Sequence, residues 1–412
     1  MIIKRNMFFG ILSIVIFTAL IVANNSLAQN AQKEKSKKDR TSTSNSKYDV
    51  AAFYWPNYHY DPRLEFLFPA KKGEWETMWN AKPKVSGERQ PRIPLWGYQN
   101  EADPKVMNEK INAAVSHDIN VFIFDWYWFD NKPLLEDCLD NGFLKANHNR
   151  MKFYIMWANH DASSYWDPKD TNKNHIYWKG GVNRATFDTI VNRVINKYFK
   201  QPSYYKIDGK PVFAIYELDN FINGIGGTES AKKALDYFRK KTVEAGFPGL
   251  HLQAILWSAV PKNLPDVSAD QVHTQNESLD YLGFNSFTNY TWAHLQMPEG
   301  DYNKWATAST ALWKTYSHEF SIPYFPNVSI DWDNNPRYPS SIKTPFITNS
   351  TPEKFKKYLL KAKQYVDSHP RQPKLITINA WNEWAEGSYL EPDKKFGYKY
   401  LDAVKQVFGA YK

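Results

Sequence analysis

Short runs of β-branched and aromatic residues alternate along this chain with longer segments whose apolar positions recur every three to four residues. The runs lie at 50–55, 121–126, 152–157, 211–216, 251–257, 281–287, 323–330 and 375–380. Each has strand length and is apolar almost throughout, as expected for strands covered on both faces. Helical periodicity is clearest at 103–116, 184–198, 231–245, 302–316, 352–366 and 398–408, and weaker after the second and fifth runs. This alternation predicts a parallel sheet with crossover helices. Eight strands and a terminal helix within 48–412 predict a single (β/α)8 barrel with enlarged loops. The alternative is an open doubly wound sheet, which usually carries a glycine-rich phosphate loop after its first strand. Here Tyr54-Trp55-Pro56-Asn57-Tyr58-His59 occupies that place.

The N-terminus changes the picture in one respect. Lys4 and Arg5, an apolar run over 7–23, and Ser26-Leu27-Ala28 follow the order of a secretory signal, so residues 1–28 are expected to be removed. A membrane anchor is the alternative, but the run falls just short of the ~20 apolar residues a span needs. Residues 29–47 are mostly Lys, Ser, Asn and Gln, a composition that predicts a disordered linker. The expectation is a secreted or periplasmic monomer without stable membrane insertion.

Of the net charge of +9, five units fall in residues 1–50, which hold eight Lys or Arg against three Asp or Glu. The remainder is only mildly basic, which argues against nucleic acid as a partner. Cys138 is the only cysteine, excluding intrachain disulfides and cysteine-based metal sites.

A barrel draws its active-site groups from the C-terminal ends of its strands. Those ends supply Tyr54, Tyr58 and His59 (first), Asp125, Tyr127 and Trp128 (second), Trp157, Asn159 and His160 (third), Glu217 (fourth), Asn285 (sixth), Asp331, Trp332 and Asp333 (seventh), and Asn382, Glu383, Trp384 and Glu386 (eighth). Polar groups interleaved with Trp55, Trp126, Trp128, Trp157, Trp257, Trp332, Trp381 and Trp384 suit a carbohydrate, whose apolar ring faces stack on aromatic planes while its hydroxyls meet carboxylates and amides. Neither a metal nor a cofactor is expected: oxygen ligands at Asp331-Trp332-Asp333-Asn334 and Asn159-His160-Asp161 lie on different strand ends, without an EF-hand spacing.

The densest chemistry lies in Asn382-Glu383-Trp384-Ala385-Glu386-Gly387-Ser388-Tyr389-Leu390-Glu391-Pro392-Asp393. On an extended strand Glu383 and Glu386 would face opposite sides about 10 Å apart; a turn, which Gly387 makes easier, can bring both into one cleft. Glycosidic cleavage typically needs two carboxyl groups, one protonated to release the leaving oxygen and one ionised. A solvated acidic loop is the alternative reading of the same acids.

The segment closely resembles the N-E-W-A-E-G-x-x-L-E-P-D signature of the WbsX-like proteins, which are related to glycoside hydrolase family 99. The resemblance runs along nearly all of residues 50–410. Gly73-Glu74-Trp75-Glu76 with Lys82-Pro83 loosely resembles a G-x-x-E-W…K-P loop, with Thr77 where a Trp would stand. Asp125-Trp126-Tyr127-Trp128-Phe129 with Lys132-Pro133-Leu134-Leu135-Glu136 resembles Y-x-Y-W-F…K-x-L-L-E, and Met156-Trp157-Ala158-Asn159 resembles W-A-N-E-N with His160 in the place of Glu. Tyr204-Tyr205-Lys206-Ile207-Asp208-Gly209-Lys210-Pro211-Val212 and Asp331-Trp332-Asp333-Asn334 resemble Y-x-x-x-D-G-R-P-V and G-W-D-N. The resemblance implies a (β/α)8 barrel acting on glycosides. Family 99 cleaves α-mannosides with retention and reads N-E-W-H-E-G in this segment, so Ala385 replaces its His. Carried over, Glu383 assists the sugar's own 2-hydroxyl as internal nucleophile and Glu386 is general acid and base, with Glu391 among the sugar contacts.

The function expected is a retaining glycoside hydrolase, acting within a poly- or oligosaccharide because the rim aromatics suggest several subsites. Two alternatives are a glycosyltransferase of surface-polysaccharide assembly and an inactive carbohydrate-binding protein. The first conflicts with an export signal and the missing phosphate loop; the second would be favoured if either glutamate were absent.

Overall fold

The computed structural model describes residues 47–172, 174–256 and 274–409. The expected signal segment, nearly all of the linker and Trp257 lie outside them. Eight parallel strands form the barrel: β1 (Asp49–Tyr54), β2 (Val121–Phe129), β3 (Lys152–Trp157), β4 (Lys210–Ile215), β5 (His251–Ile255), β6 (Ser286–Thr288), β7 (Asn327–Ser329) and β8 (Leu375–Asn379). They neighbour one another in the order β6-β5-β4-β3-β2-β1-β8-β7. The ring closes where Phe287 of β6 meets the approach to β7: its N–H donates to Pro323 O at 3.0 Å, and Phe325 N–H donates to Phe287 O at 2.9 Å. Inside, polar side chains pair across the lumen between non-adjacent strands. Tyr154 on β3 donates to Gln253 on β5 at 3.0 Å, and Thr288 on β6 pairs with Thr377 on β8 at 2.8 Å. These four lumen side chains thus satisfy one another.

Helices α1 (Pro104–Ser116), α2 (Arg184–Arg193), α3 (Leu218–Ile225), α4 (Thr228–Glu244), α5 (Gln275–Leu282), α6 (Tyr302–Glu319), α7 (Pro352–Ser368) and α8 (Lys399–Phe408) clothe the sheet. The logic of α7 is typical. Thr351 caps its first turn by accepting from Lys354 N–H, Pro352 sits where no N–H is needed, and Phe355, Tyr358, Leu359, Ala362 and Val366 form one buried stripe. After β2 a single wide helical turn (Cys138–Phe143) replaces a full helix.

Two departures from expectation matter for the site. First, β2 runs three residues past the barrel rim and turns back through Asp130 and Asn131, both at positive φ, to pair antiparallel with Lys132–Leu134. That is the geometry of a two-residue hairpin, and it carries Tyr127 above the rim. Second, the sixth strand begins later than the apolar pattern suggested. Tyr281 and Leu282 end α5, which opens on a Thr274–Glu277 capping box and stops at left-handed Gly283. The strand therefore ends at Thr288. No helix among the described residues is long and apolar enough to cross a membrane.

Candidate active site

Past β8 the backbone does not continue straight. Asn382–Glu383 pairs antiparallel with Ser388–Tyr389 around a helical turn at Trp384–Glu386, and Gly387 closes it with φ 71°. A β-carbon on Gly387 would lie 2.6 Å from Cζ of Arg92, whose Nη1 is fixed by Asp331 and by the Gly387 carbonyl, each at 2.9 Å. Gly387→Ala is therefore expected to lower unfolding free energy by roughly 2 kcal/mol, read from urea denaturation; an unchanged midpoint would mean that the turn relaxes freely.

The residues around the two glutamates build the platform. Asn382 clamps Trp55, accepting from its N–H at 2.8 Å and donating to its carbonyl at 2.7 Å. Trp384 stacks on Tyr389 at 3.7 Å and donates from Nε1 to Glu391 at 2.7 Å. Glu391 shares the buried Lys110 ammonium with Glu101.

Glu383 and Glu386 converge on Arg337, which lies under 3% exposed between the rings of Trp55 and Tyr165. Arg337 donates from Nη1 to Glu386 Oε1 at 2.7 Å and from Nη2 to Glu383 Oε2 at 3.2 Å. Its other edge grips Glu74 at 2.6 and 3.1 Å, and Trp55 Nε1 donates to the same carboxylate at 2.6 Å. Glu386 Oε2 is buried with no hydrogen-bond partner. Burial raises the pKa of Glu383 well above the usual carboxylate range, with the Glu386 charge adding to it. Burial also raises Glu386, with Arg337 opposing. One guanidinium faces Glu383, Glu386 and nearby Asp125 together in a buried site, which favours the neutral forms of these three carboxyls.

The cleft above them has a volume of about 520 Å³, within the range of small-molecule sites. Of the residues singled out from the sequence, Asp125, Tyr127, His160, Trp332, Glu383 and Glu386 line it. Burial holds His160 and His294 below the ordinary histidine range, His294 at about 3, so both are neutral hydrogen-bonding groups at pH 7.

The other candidates do not line the cleft. Tyr54 donates to Glu101 at 2.9 Å, Tyr58 packs on Trp75 at 4.0 Å, and His59 is buried. Trp128 and Trp157 lie in the core. Asn159 is a strut, exchanging hydrogen bonds with the Glu217 backbone at 2.7 and 2.8 Å. Asp331 pairs with Arg92 at 2.9 Å, and Asp333 accepts from Gln90 at 2.9 Å. Asn382, Trp384 and Glu391 belong to the platform. Asn285 requires a correction: it precedes β6, its Oδ1 accepting from Leu252 N–H near the start of β5, and so stands at the opposite end of the barrel.

Conversely, Glu74, Arg337, Tyr165, Trp166, Tyr216, Tyr290 and His294 were not singled out from the sequence. Tyr290 becomes readable once β6 is ended at Thr288, two residues before it. Arg337, in Asn334-Asn335-Pro336-Arg337, carries no local signal, because its partners come from distant loops. Tyrosines therefore supply more of the cleft than tryptophans do: of the expected tryptophans Trp55 and Trp332 line it, joined by Trp166. Among the described residues no three His, Cys, Asp or Glu side chains are grouped to hold a metal ion.

Comparison with known proteins bears on the fold and the family. An endo-alpha-mannosidase of glycoside hydrolase family 99 from Bacteroides thetaiotaomicron superposes with a TM-score of 0.56 at 14% identity, covering 88% of this chain and 96% of that one. A protein described as glycoside hydrolase-like gives 0.57 at 16% identity over 89% and 95% of the two chains. Likeness at such identities speaks to the fold. The uncharacterized protein WxcX of Xanthomonas campestris pv. campestris is 25% identical over 367 residues, which make up 87% of this chain and 49% of that protein. This chain thus spans about half the length of the curated relative it matches. The family model described as glycosyltransferase WbsX matches residues 50–404, and the chain belongs to that family.

Proposed function

We propose that this protein hydrolyses glycosidic bonds within a poly- or oligosaccharide, with retention at the anomeric carbon, and acts outside the cytoplasm. The observation that carries the reading is the pair Glu383 and Glu386 on adjacent nitrogens of one buried guanidinium, at the floor of an aromatic cleft, with Glu386 Oε2 free. Such a pair suits two-step chemistry. In the first step Glu386 gives its proton to the departing glycosidic oxygen while Glu383 takes the proton of the 2-hydroxyl, whose oxygen closes on the anomeric carbon. In the second, Glu386 takes a proton from water as that water opens the ring, and Glu383 returns its proton to the 2-hydroxyl oxygen. Arg337 holds both carboxyls in place, and Tyr127, Tyr165, Tyr216 and Trp332 offer faces for sugar rings.

A transferase using a nucleotide sugar is the competing reading, following the family description. The cleft disfavours it: Arg337, the arginine lining it, is already engaged by three carboxylates, so a diphosphate would enter a field of its own sign.

Incubating the protein with α-mannans and a panel of algal and host glycans should release oligosaccharides with new reducing ends. Transfer from a nucleotide sugar without hydrolysis of any glycan would favour the competing reading. For localisation, terminal sequencing of the exported protein should begin after Ala28; an intact Met1 in the membrane pellet would contradict the export proposal.

A further inference from the structure

Tyr290 has one hydroxyl hydrogen and two carboxyl groups within reach. Its oxygen lies 2.7 Å from Glu383 Oε1 and 2.9 Å from Asp125 Oδ2, and all three side chains are buried. A phenol donates once, whereas an ionised carboxylate can only accept. If both carboxyls were ionised, one of these contacts would set two lone-pair oxygens against each other in a low-dielectric site, where such contacts are costly. The trio must therefore hold a second proton, with one carboxyl donating to the phenol oxygen and the phenol donating to the other.

The surroundings decide which carboxyl that is. Glu383 has a cation, with Arg337 Nη2 at 3.2 Å from its second oxygen, while Asp125 has no ion-pair partner among the described residues. The shorter contact is on the Glu383 side, as expected for the charged acceptor. Glu74, Glu386, Tyr58, Tyr127, Tyr216, His294 and Arg337 are the other titratable or charged groups facing the trio among the described residues. We propose that Asp125 is a resident neutral acid whose Oδ2–H donates to Tyr290, whose hydroxyl in turn donates to Glu383 Oε1, so that Asp125 and Tyr290 are positioning residues that keep Glu383 ionised. Burial pushes the Asp125 carboxyl well up against the lowering effect of its Tyr290 hydrogen bond, and pushes Glu383 up as well, so the choice between the two rests on the Arg337 pairing and the contact lengths. Asp125 Oδ1, buried and without a partner, remains a carbonyl acceptor at the cleft surface for a sugar hydroxyl. No proton leaves Asp125 in the reaction: the 2-hydroxyl proton goes to Glu383 and comes back.

The catalytic consequence rests on the hydrolase reading, whereas the proton count does not. Infrared spectra of the free protein near pH 7 should contain the carbonyl stretch of neutral carboxylic acids. Asp125→Asn should remove a component of that stretch that Glu386→Gln leaves in place, and Tyr290→Phe should shift its frequency by removing the hydrogen-bond partner. An Asp125→Asn spectrum that keeps every neutral-acid component of the wild type would overturn the proposal, as would a wild type with none. Should Asp125→Asn not fold, the Tyr290→Phe shift decides alone. On a glycan that the wild type degrades, Asp125→Asn, whose amide also donates to Tyr290, should retain a kcat about thirtyfold or more above that of Asp125→Ala, which has no donor there. Equal losses would overturn the positioning role. An Asp125 infrared component together with failure on every glycan would reject the hydrolase reading and leave the proton count standing.

Discussion

Glu386→Gln is expected to slow turnover about a hundredfold or more on a glycan with a poor leaving group, and far less on an aryl glycoside that departs without protonation. The amide keeps the size and can still accept from Arg337 Nη1, now at 2.7 Å from Glu386 Oε1, so sugar binding should be nearly unchanged. What is lost is the exchangeable proton at the unpartnered Oε2. Glu383→Gln should be slow with both leaving groups, since assistance to the nucleophile is needed whatever departs. A Glu383→Gln protein near wild-type activity on a confirmed substrate would reject the assigned roles. Asp331 and Asp333 would not be the substitutes, because they are tied to Arg92 and Gln90 away from the cleft; Asp125 is the remaining carboxyl that faces it.

Arg337→Met is expected to have the largest combined effect. The side chain fills similar space between Trp55 and Tyr165 but removes the charge that Glu74, Glu383 and Glu386 share. Those carboxylates, despite the opposing burial, keep Arg337 firmly protonated. Removing one partner from a buried charged network typically costs about 3–5 kcal/mol, because the remaining charges stay desolvated and unpaired. Chemical denaturation should read a loss of that order, with turnover lost as well. Without Arg337 the buried Glu383 and Glu386 rise further and take up protons more readily, so the variant should regain part of its stability as the pH is lowered from 8 to 5. A variant as stable as wild type at pH 8 would mean that water or another group compensates the carboxylates.

The eight strands were legible because each is a short apolar run covered on both faces, and most helices because their buried stripes repeat at helical spacing. The one misplaced strand shows where that reasoning fails. Tyr281, Leu282 and Phe284 continue the apolar pattern of Phe287, so only the capping box at Thr274 and the left-handed stop at Gly283 reveal that they belong to a helix end and its turn. That error moved the sixth strand end by one residue and exchanged Tyr290 for Asn285. Glu383 and Glu386 were legible as a local cluster with a glycine to turn it. Arg337 and Glu74 were not, since 263 positions separate them along the chain and nothing local marks either as half of a pair. Tryptophans such as Trp157, Trp381 and Trp384 read as rim residues from their strand-end positions, yet they are fully buried, because large aromatics at strand ends also seal the barrel against its helices.

The measurement that bears most directly on the paired-carboxylate account is the configuration of the sugar first released. Proton NMR of a wild-type digest of an α-linked glycan, followed from the first minutes before mutarotation, should show the α-anomer appearing first, as two successive displacements at the anomeric carbon, assisted by Glu383 and Glu386, require. Initial appearance of the β-anomer would mean a single displacement by water and would contradict the account.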